Sequence, residues 1–266
     1  MNAIDFGAGL AGYEADLWRL VFIMTRIGAA LLAAPIFGAT SIPVQVRICL
    51  AGAIAIFIMV WHPGGAAVQT PAQLLSVAGL TALVGEAVIG AALGFCLQLT
   101  FAAPLIAAEQ IAGGMGMAIA TAVDPNTGGQ SGALGQYFTI VLTLVFLAVG
   151  GHLLWLRLVI ESYAVFPPGA EWFGAGRAWM MVEFAAQVFT TAVVIALPVM
   201  LVLFTVQLVT GVLSRSAPSL NLFALGLPAG VLAGIAALII AAPFTSEQFV
   251  LLSADAIDRV GLLISG

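Results

Sequence analysis

Long stretches of this chain carry no charged residue. Six of them reach or exceed the roughly 20 residues that a helix needs to cross the hydrocarbon core of a bilayer. They are Ile27–Val46, Ile48–Gly85, Ala87–Ala108, Pro125–Leu156, Phe184–Ser214 and Ser216–Ser246. A soluble domain of this size leaves about a quarter of its chain's surface exposed to water, so it cannot hide stretches this apolar. The sequence therefore predicts an all-α, polytopic integral membrane protein.

The few charges also exclude several classes of partner and cofactor. Charged residues make up 7% of the chain and the formal net charge is −5, whereas soluble domains are roughly 25% charged. The arginines are scattered and there is no lysine, so the chain offers no basic stripe for nucleic acid. Cys49 and Cys96 lie inside apolar stretches, without the spacing of a disulfide framework or a metal site. We expect no nucleic-acid partner, no metal and no other cofactor.

Apolar segments bounded by turn signals predict the helices. The predicted segments are Trp18–Phe37, Val46–Trp61, Tyr137–Ile160, Phe184–Ser214, Leu222–Phe244 and a separate amphipathic helix at Glu247–Leu263. Neither a soluble domain nor a low-complexity linker interrupts the chain, so residues 1–266 are predicted to form a single unit.

Two segments are too long for a simple membrane span. Pro71–Val123 is compatible with helix almost throughout, but one such helix would measure about 80 Å, so we expect it to fold back or break. Pro104 and the cluster Gly113–Gly116 are the expected places, because proline removes a helical hydrogen bond and glycine disfavours helix. Phe184–Ser214 would measure about 46 Å, so it requires tilt, a kink at Pro198 or surroundings other than the bilayer.

Two acidic residues interrupt the apolar helices. Glu86 lies within one helix and Glu109 just before the glycine cluster, and an ionised carboxylate at the bilayer centre costs about 2.5–3.5 kcal/mol. One interpretation is an ion or proton site, with Arg26 as a partner. The other is a buried carboxylate that hydrogen-bonds another helix or subunit. The lack of a second acidic residue at i+3 or i+4, or of an adjacent histidine, favours the structural interpretation.

Catalytic motifs are missing from the sequence. His62 and His152 are the only histidines, and they form no HxxxH or HExxH spacing. No GxSxG elbow or other nucleophile–base pattern is present. We therefore do not expect an enzyme.

Regularly spaced glycines predict close helix packing. Gly226, Gly230 and Gly234 form a ladder at i+4 intervals, and Gly90 and Gly94 form a second GxxxG pair. In an apolar helix such a stripe allows another backbone to approach closely. We interpret both sets as helix-packing interfaces.

The segment from Glu109 and Gln110 through Gly113, Gly114, Met115, Gly116 and Met117 combines a flexible backbone with two thioethers. Methionine fills irregular gaps and adapts to different partners. One interpretation is a helix break with methionine as packing filler, and the other is a deformable constriction in a pore.

Four motifs follow one another along the chain. They are Arg26–Phe37 with Ile42-Pro43 and Arg47; Glu109–Met117 leading to Asp124-Pro125; Gly151–Leu154 with Glu161–Tyr163 and Pro167–Gly169; and Arg215, Pro218, Leu220–Phe223, Gly226 and Pro228. Together, and in this order, they resemble the FliR family, the flagellar relatives of the SctT proteins of type III secretion. The resemblance covers about Arg26 to Ala233. In the second motif Ala112–Gly114 stand where relatives more often carry Gly-Leu-Gln, which makes this backbone looser.

The resemblance implies a structural gate of the flagellar type III export apparatus, in the bacterial inner membrane at the flagellar basal body. FliR-like proteins resemble a FliP fused to a FliQ, with long helices bent into hairpins. With FliP and FliQ subunits they form a helical pore for unfolded flagellar proteins, near FlhB and FlhA. The resemblance also implies that Glu109–Met117 corresponds to the family's plug. The alternatives are a virulence-type SctT protein, a secondary transporter with an intramembrane Glu pair, and an intramembrane enzyme.

Overall fold

A computed structural model of the chain is helical in every regular element that it describes. It describes residues 3–61, 76–117, 132–168, 174–216 and 222–265, and these contain seven helices and no strand. The helices are α1 (Ala3–Ala33), α2 (Val44–Trp61), α3 (Val77–Gly114), α4 (Ala133–Ala148), α5 (Gly151–Val165), α6 (Ala175–Ser216) and α7 (Leu222–Ser265). The predicted all-α class is confirmed.

Most of these helices have the length and composition of membrane spans. Among the described residues, four helices (α2, α3, α6 and α7) are long and apolar enough to cross a membrane, and the bent pair α4–α5 makes a fifth if it counts as one span. With 42 residues, α6 is about 63 Å long, roughly twice the hydrocarbon thickness. The prediction of a polytopic membrane protein is confirmed, and the longest helices exceed what a bilayer covers.

The chain divides into two compact units. The first consists of Met1–Gln98, Gly151–Glu183 and Ala256–Gly266, and the second of Leu99–Gly150 and Phe184–Asp255. Three helices, α3, α6 and α7, contribute residues to both. That residues 1–266 act as one unit stays a prediction.

Prolines do not interrupt the long helices. Helix α3 continues through Pro104 and ends ten residues later, at Gly114, so of the two expected break points only the glycine cluster ends it. Helix α6 continues through Pro198, and α7 through Pro228 and Pro243. The prediction of a separate amphipathic helix after Phe244 was therefore wrong. In apolar surroundings a proline costs one helical hydrogen bond, whereas a break would leave several backbone groups unsatisfied.

A break occurs instead where one helix was predicted. Tyr137–Ile160 is divided between α4, which ends at Ala148, and α5, which begins at Gly151. Gly150 adopts a left-handed conformation with φ +74°, and its N–H donates to the carbonyl of Leu147 at 3.1 Å. Only glycine takes this conformation readily. The Gly150-Gly151 pair was the signal in the sequence.

Each unit has its own apolar core. In the first, Trp155 stacks on Phe37 with ring centroids 5.7 Å apart and donates its Nε1–H to the carbonyl of Leu93 at 3.1 Å. In the second, Phe138 and Phe249 pack edge to face at 5.6 Å. These contacts join α5 to α3 in the first unit and α4 to α7 in the second.

Candidate functional site: a buried ion pair and the glycine-bordered end of α3

Arg26 and Glu86 form an ion pair in the core of the first unit. One edge of the guanidinium faces the carboxylate, because Nε donates to Oε2 of Glu86 at 2.8 Å and Nη2 donates to Oε1 at 2.9 Å. The side chains are 0% and 1% exposed. Two parallel charge-assisted hydrogen bonds of this kind are among the strongest polar contacts in proteins. The pair therefore ties α1 to α3.

Residues from α5 and just beyond it complete the surroundings of Arg26. Its Nη1 donates to Ser162 Oγ at 3.2 Å, and its Nη2 also donates to the carbonyl of Phe166 at 3.0 Å. The guanidinium carbon lies 4.0 Å from the ring centroid of Tyr163, whose hydroxyl donates to the carbonyl of Ile23 at 2.7 Å. One arginine thus joins three helices, and its charge is balanced inside the unit.

Gly90 and Gly94 bring α1 and α3 together beside this pair. A Cβ added to Gly90 would overlap the carbonyl oxygen of Arg26 and lie 3.1 Å from the Cβ of Ala29. At Gly94 it would lie 2.6 Å from the Cβ of Ala33. The GxxxG pair thus allows backbone contact within the chain. Because Glu86 lies one turn before Gly90, this contact places its carboxylate opposite Arg26.

The end of α3 is a glycine-terminated turn. The N–H of Met117 donates to the carbonyl of Ala112 at 3.0 Å, and that of Gly116 donates to Gly113 at 3.0 Å. Gly116 has φ +80°. This pair of bonds with a left-handed glycine is the Schellman arrangement, which satisfies the last helical carbonyls. The predicted plug segment is therefore a folded helix end as far as Met117, with Glu109 exposed and Gln110 half-buried.

Helices α6 and α7 hold this helix end within the second unit. Met115 is 3% exposed and packs against Gly230 and Gly234. From α6, Gln207 Nε2 donates to the carbonyl of Gly114 at 3.0 Å. A cavity of about 300 Å³ adjoins the contact, lined in part by Gly113, Gly226, Leu227, Gln207 and Thr210.

Comparison with known sequences assigns the family. Residues 17–255 match the family described as bacterial export proteins, family 1. The chain is 33% identical to the flagellar biosynthetic protein FliR of Escherichia coli K12 over 251 residues, which cover 90% of this chain and 93% of that protein. The FliR proteins of Pectobacterium carotovorum and Bacillus subtilis are each 32% identical, over 79% of this chain and 78% and 79% of their own.

The chain belongs to the FliR family.

Family membership makes this chain a component of the flagellar export apparatus. The family match includes both sites, since Arg26, Glu86, the end of α3 and the glycines of α7 all lie within residues 17–255. The resemblance to FliR predicted from four motifs is confirmed. Parts of those motifs lie outside the described residues, namely Asp124-Pro125, Gly169, Pro218 and Leu220-Asn221.

The structure brings some of the predicted residues together and separates others. Arg26 meets Glu86, whereas Glu109 belongs to the second unit. Met115 meets Gly230 and Gly234, but a Cβ added to Gly226 would have no neighbour within 4 Å. Among the described residues no group of three or more His, Cys, Asp or Glu is placed to hold a metal ion, and His62 lies outside them.

Sequence reasoning missed the polar partners of both sites in this FliR-family chain. Ser162 and Tyr163 belong to one of the four motifs without indicating a contact, and Gln207 belongs to none of them. An amide inside the uncharged run Phe184–Ser214 was the available signal, because a polar side chain in an apolar helix usually has a hydrogen-bond partner. No local pattern indicates that this partner is the carbonyl of Gly114.

Proposed function

We propose that this chain is a structural, non-catalytic subunit of the flagellar type III export gate in the bacterial inner membrane, at the flagellar basal body. With FliP-like and FliQ-like subunits it forms the pore through which unfolded flagellar proteins pass, and FlhB-like and FlhA-like proteins are its neighbours. The observation that carries the proposal is the family match over residues 17–255.

The exposed face of α6 supports assembly with partners. Its large exposed apolar side chains extend from Trp179 to Leu213, which corresponds to about 51 Å of helix. A helix would need a tilt of roughly 54° to bring that length within a hydrocarbon core of about 30 Å, whereas transmembrane helices tilt by about 0–40°. Part of this apolar face therefore requires cover from protein rather than lipid.

The end of α3 is the proposed plug of the pore. Its final turn is held mainly by the apolar contact of Met115 and by one hydrogen bond from Gln207. A contact of this kind can seal against water and ions and can still be broken, because methionine is flexible and makes few directional bonds. The adjoining cavity leaves space beside the turn.

The transporter hypothesis receives less support. An ion site built on Glu86 needs a carboxylate that can exchange partners, but both of its oxygens accept hydrogen bonds from Arg26. Glu109, the other member of the supposed pair, is exposed and belongs to the second unit.

Assembly and export are tested together in a flagellated host. We expect deletion of the gene to abolish secretion of filament protein and swimming, and a plasmid copy to restore both. Affinity purification of the tagged chain should recover FliP-like and FliQ-like subunits in stable proportion. Secretion without the gene, or recovery of the chain free of these subunits, would contradict the proposal.

The plug is tested by ion leakage through the assembled complex. Replacing Met115 and Met117 by alanine, or deleting Gly113–Gly116, should raise ion conductance, because lost apolar contacts are not replaced. Met59→Ala in α2 is the matched control, since it removes a methionine from the first unit. If both plug variants assemble normally and remain tight, these residues are packing filler.

A further inference from the structure

We propose that Gly230 and Gly234 of α7 form a seat for Met115, and that occupation of this seat holds the plug in its closed position. The inference rests on the proposed export-gate function and adds the element that sets the closed state. The glycine ladder, read from the sequence as a helix-packing interface, here receives a side chain of the same protein.

The three glycines of the ladder differ in what they contact. At Gly234 an added Cβ would lie 2.6 Å from Cγ and 3.0 Å from Sδ of Met115, so any side chain there displaces the thioether. At Gly230 it would lie 3.3 Å from the carbonyl oxygen of Met115, a backbone atom. At Gly226 nothing lies within 4 Å. The seat is therefore two residues long, with distinct side-chain and backbone contacts.

The seated segment can leave as a folded unit. Its turn is closed by its own hydrogen bonds, from Met117 to Ala112 and from Gly116 to Gly113. Leaving the seat breaks the apolar contact of Met115, the packing of Gly114 beside Leu203 and Met200, and the bond from Gln207 to Gly114, whose donor side chain is exposed. The contacts that hold the segment are thus separate from those that fold it, as a two-state closure requires.

A double-mutant cycle tests the seat, because the clashing atoms at Gly234 belong to the side chain of Met115. Gly234→Ala and Met115→Ala are made singly and together in the assembled complex with its FliP-like and FliQ-like subunits. The readouts are the Tm of the purified complex and its ion conductance. Each single variant should lower the Tm and raise the conductance on the order of tenfold, since overpacking or loss of packing shifts a two-state closure by that factor.

The double variant should recover most of both properties, because the methyl group that Gly234→Ala adds occupies space left by the thioether. Two other glycines of the ladder serve as controls. Gly226→Ala should leave the conductance unchanged and should not lower the Tm, since its added methyl group has no neighbour within 4 Å and alanine favours helix over glycine. Gly230→Ala should lower the Tm and raise the conductance. Adding Met115→Ala should restore neither, because the atom that the new methyl group meets is a backbone oxygen.

The outcomes separate this inference from the proposed function. Additive effects of Gly234→Ala and Met115→Ala would overturn the seat, even if deletion of Gly113–Gly116 causes leakage. A second outcome would also overturn the seat: the Tm effects of the two substitutions are coupled and the deletion leaks, but Gly234→Ala leaves the conductance unchanged. That result would show that the two residues pack together without controlling the gate. If the deletion itself stays tight, the plug assignment fails first.

Discussion

At the scale of single residues, the fully buried charges of the described part of the chain, Arg26 and Glu86, lie in one place. Arg26 satisfies both oxygens of Glu86, the hydroxyl of Ser162 and the carbonyl of Phe166, and it stacks on Tyr163. A charge in apolar surroundings is tolerated only when it is paired and hydrogen-bonded. The network therefore fixes how α1, α3 and α5 pack.

Removing one partner of this pair should destabilise the chain strongly. Glu86→Leu leaves a buried, uncompensated guanidinium, and such changes cost about 3–5 kcal/mol. The double variant Arg26→Met with Glu86→Leu should recover much of this loss, because no charge then remains buried. Thermal unfolding of the purified complex measures both.

The exposed Arg157–Glu161 pair provides the matched control. Nε of Arg157 lies 2.7 Å from Oε1 of Glu161, but the two side chains are 72% and 47% exposed. Glu161→Leu should change stability by at most about 1 kcal/mol, as surface pairs do. Equal losses from Glu86→Leu and Glu161→Leu would show that the buried pair does not stabilise this fold.

At the scale of helices, glycines decide where two backbones approach and where a helix ends. Gly90 and Gly94 admit the backbone of α1, Gly116 ends α3, and Gly150 divides α4 from α5. Prolines have the smaller effect, since Pro104 and Pro198 lie inside continuous helices.

Gly90→Ala should separate α1 from α3. The added methyl group overlaps the carbonyl of Arg26, a backbone atom that cannot rotate away, and overpacking of this kind costs about 1–3 kcal/mol. Gly85→Ala on the same helix meets nothing within 4 Å and should instead gain up to about 1 kcal/mol from helix propensity.

The Tm of each variant and the crosslinking yield of a cysteine pair placed across α1 and α3 measure the effect. If Gly90→Ala and Gly85→Ala are equally stable, the close approach does not contribute to packing.

At the scale of the whole molecule, the described residues expose much apolar surface. In the most apolar 18-residue stretches of α2 and α6, only 17% and 28% of the residues are buried within the chain. Lipid can cover part of this surface, but the length of α6 exceeds what a bilayer covers. The chain is therefore suited to permanent partners.

Produced without its companions, the chain should aggregate or be degraded, because obligate subunits often lack a stable free form. Co-expression with FliP-like and FliQ-like subunits should raise its membrane level several-fold, a stabilisation expected from binding. Size-exclusion chromatography in detergent and immunoblotting measure this. A monodisperse, long-lived monomer would argue against an assembly role.

The sequence by itself determined the class of the molecule. The uncharged stretches between Ile27 and Ser246 required helices in apolar surroundings, and the motifs from Arg26 to Pro228 were sufficient to predict the FliR family. These features can be recognised without a structure because helix formation and membrane burial depend on residues close together in the chain.

Only the tertiary structure shows which distant residues of the chain contact each other. It places Met115 against Gly234. It also places Gln207 against Gly114, 93 positions away in the chain, and Ser162 against Arg26, 136 positions away. It also keeps α7 continuous through Pro243, where local propensity predicts an end. Helix propensity acts over a few neighbouring residues. Contacts between distant residues, and the continuity of a helix through a proline, depend instead on how the folded chain packs and on which backbone groups would otherwise lack a hydrogen-bond partner. No local stretch of the sequence encodes these outcomes.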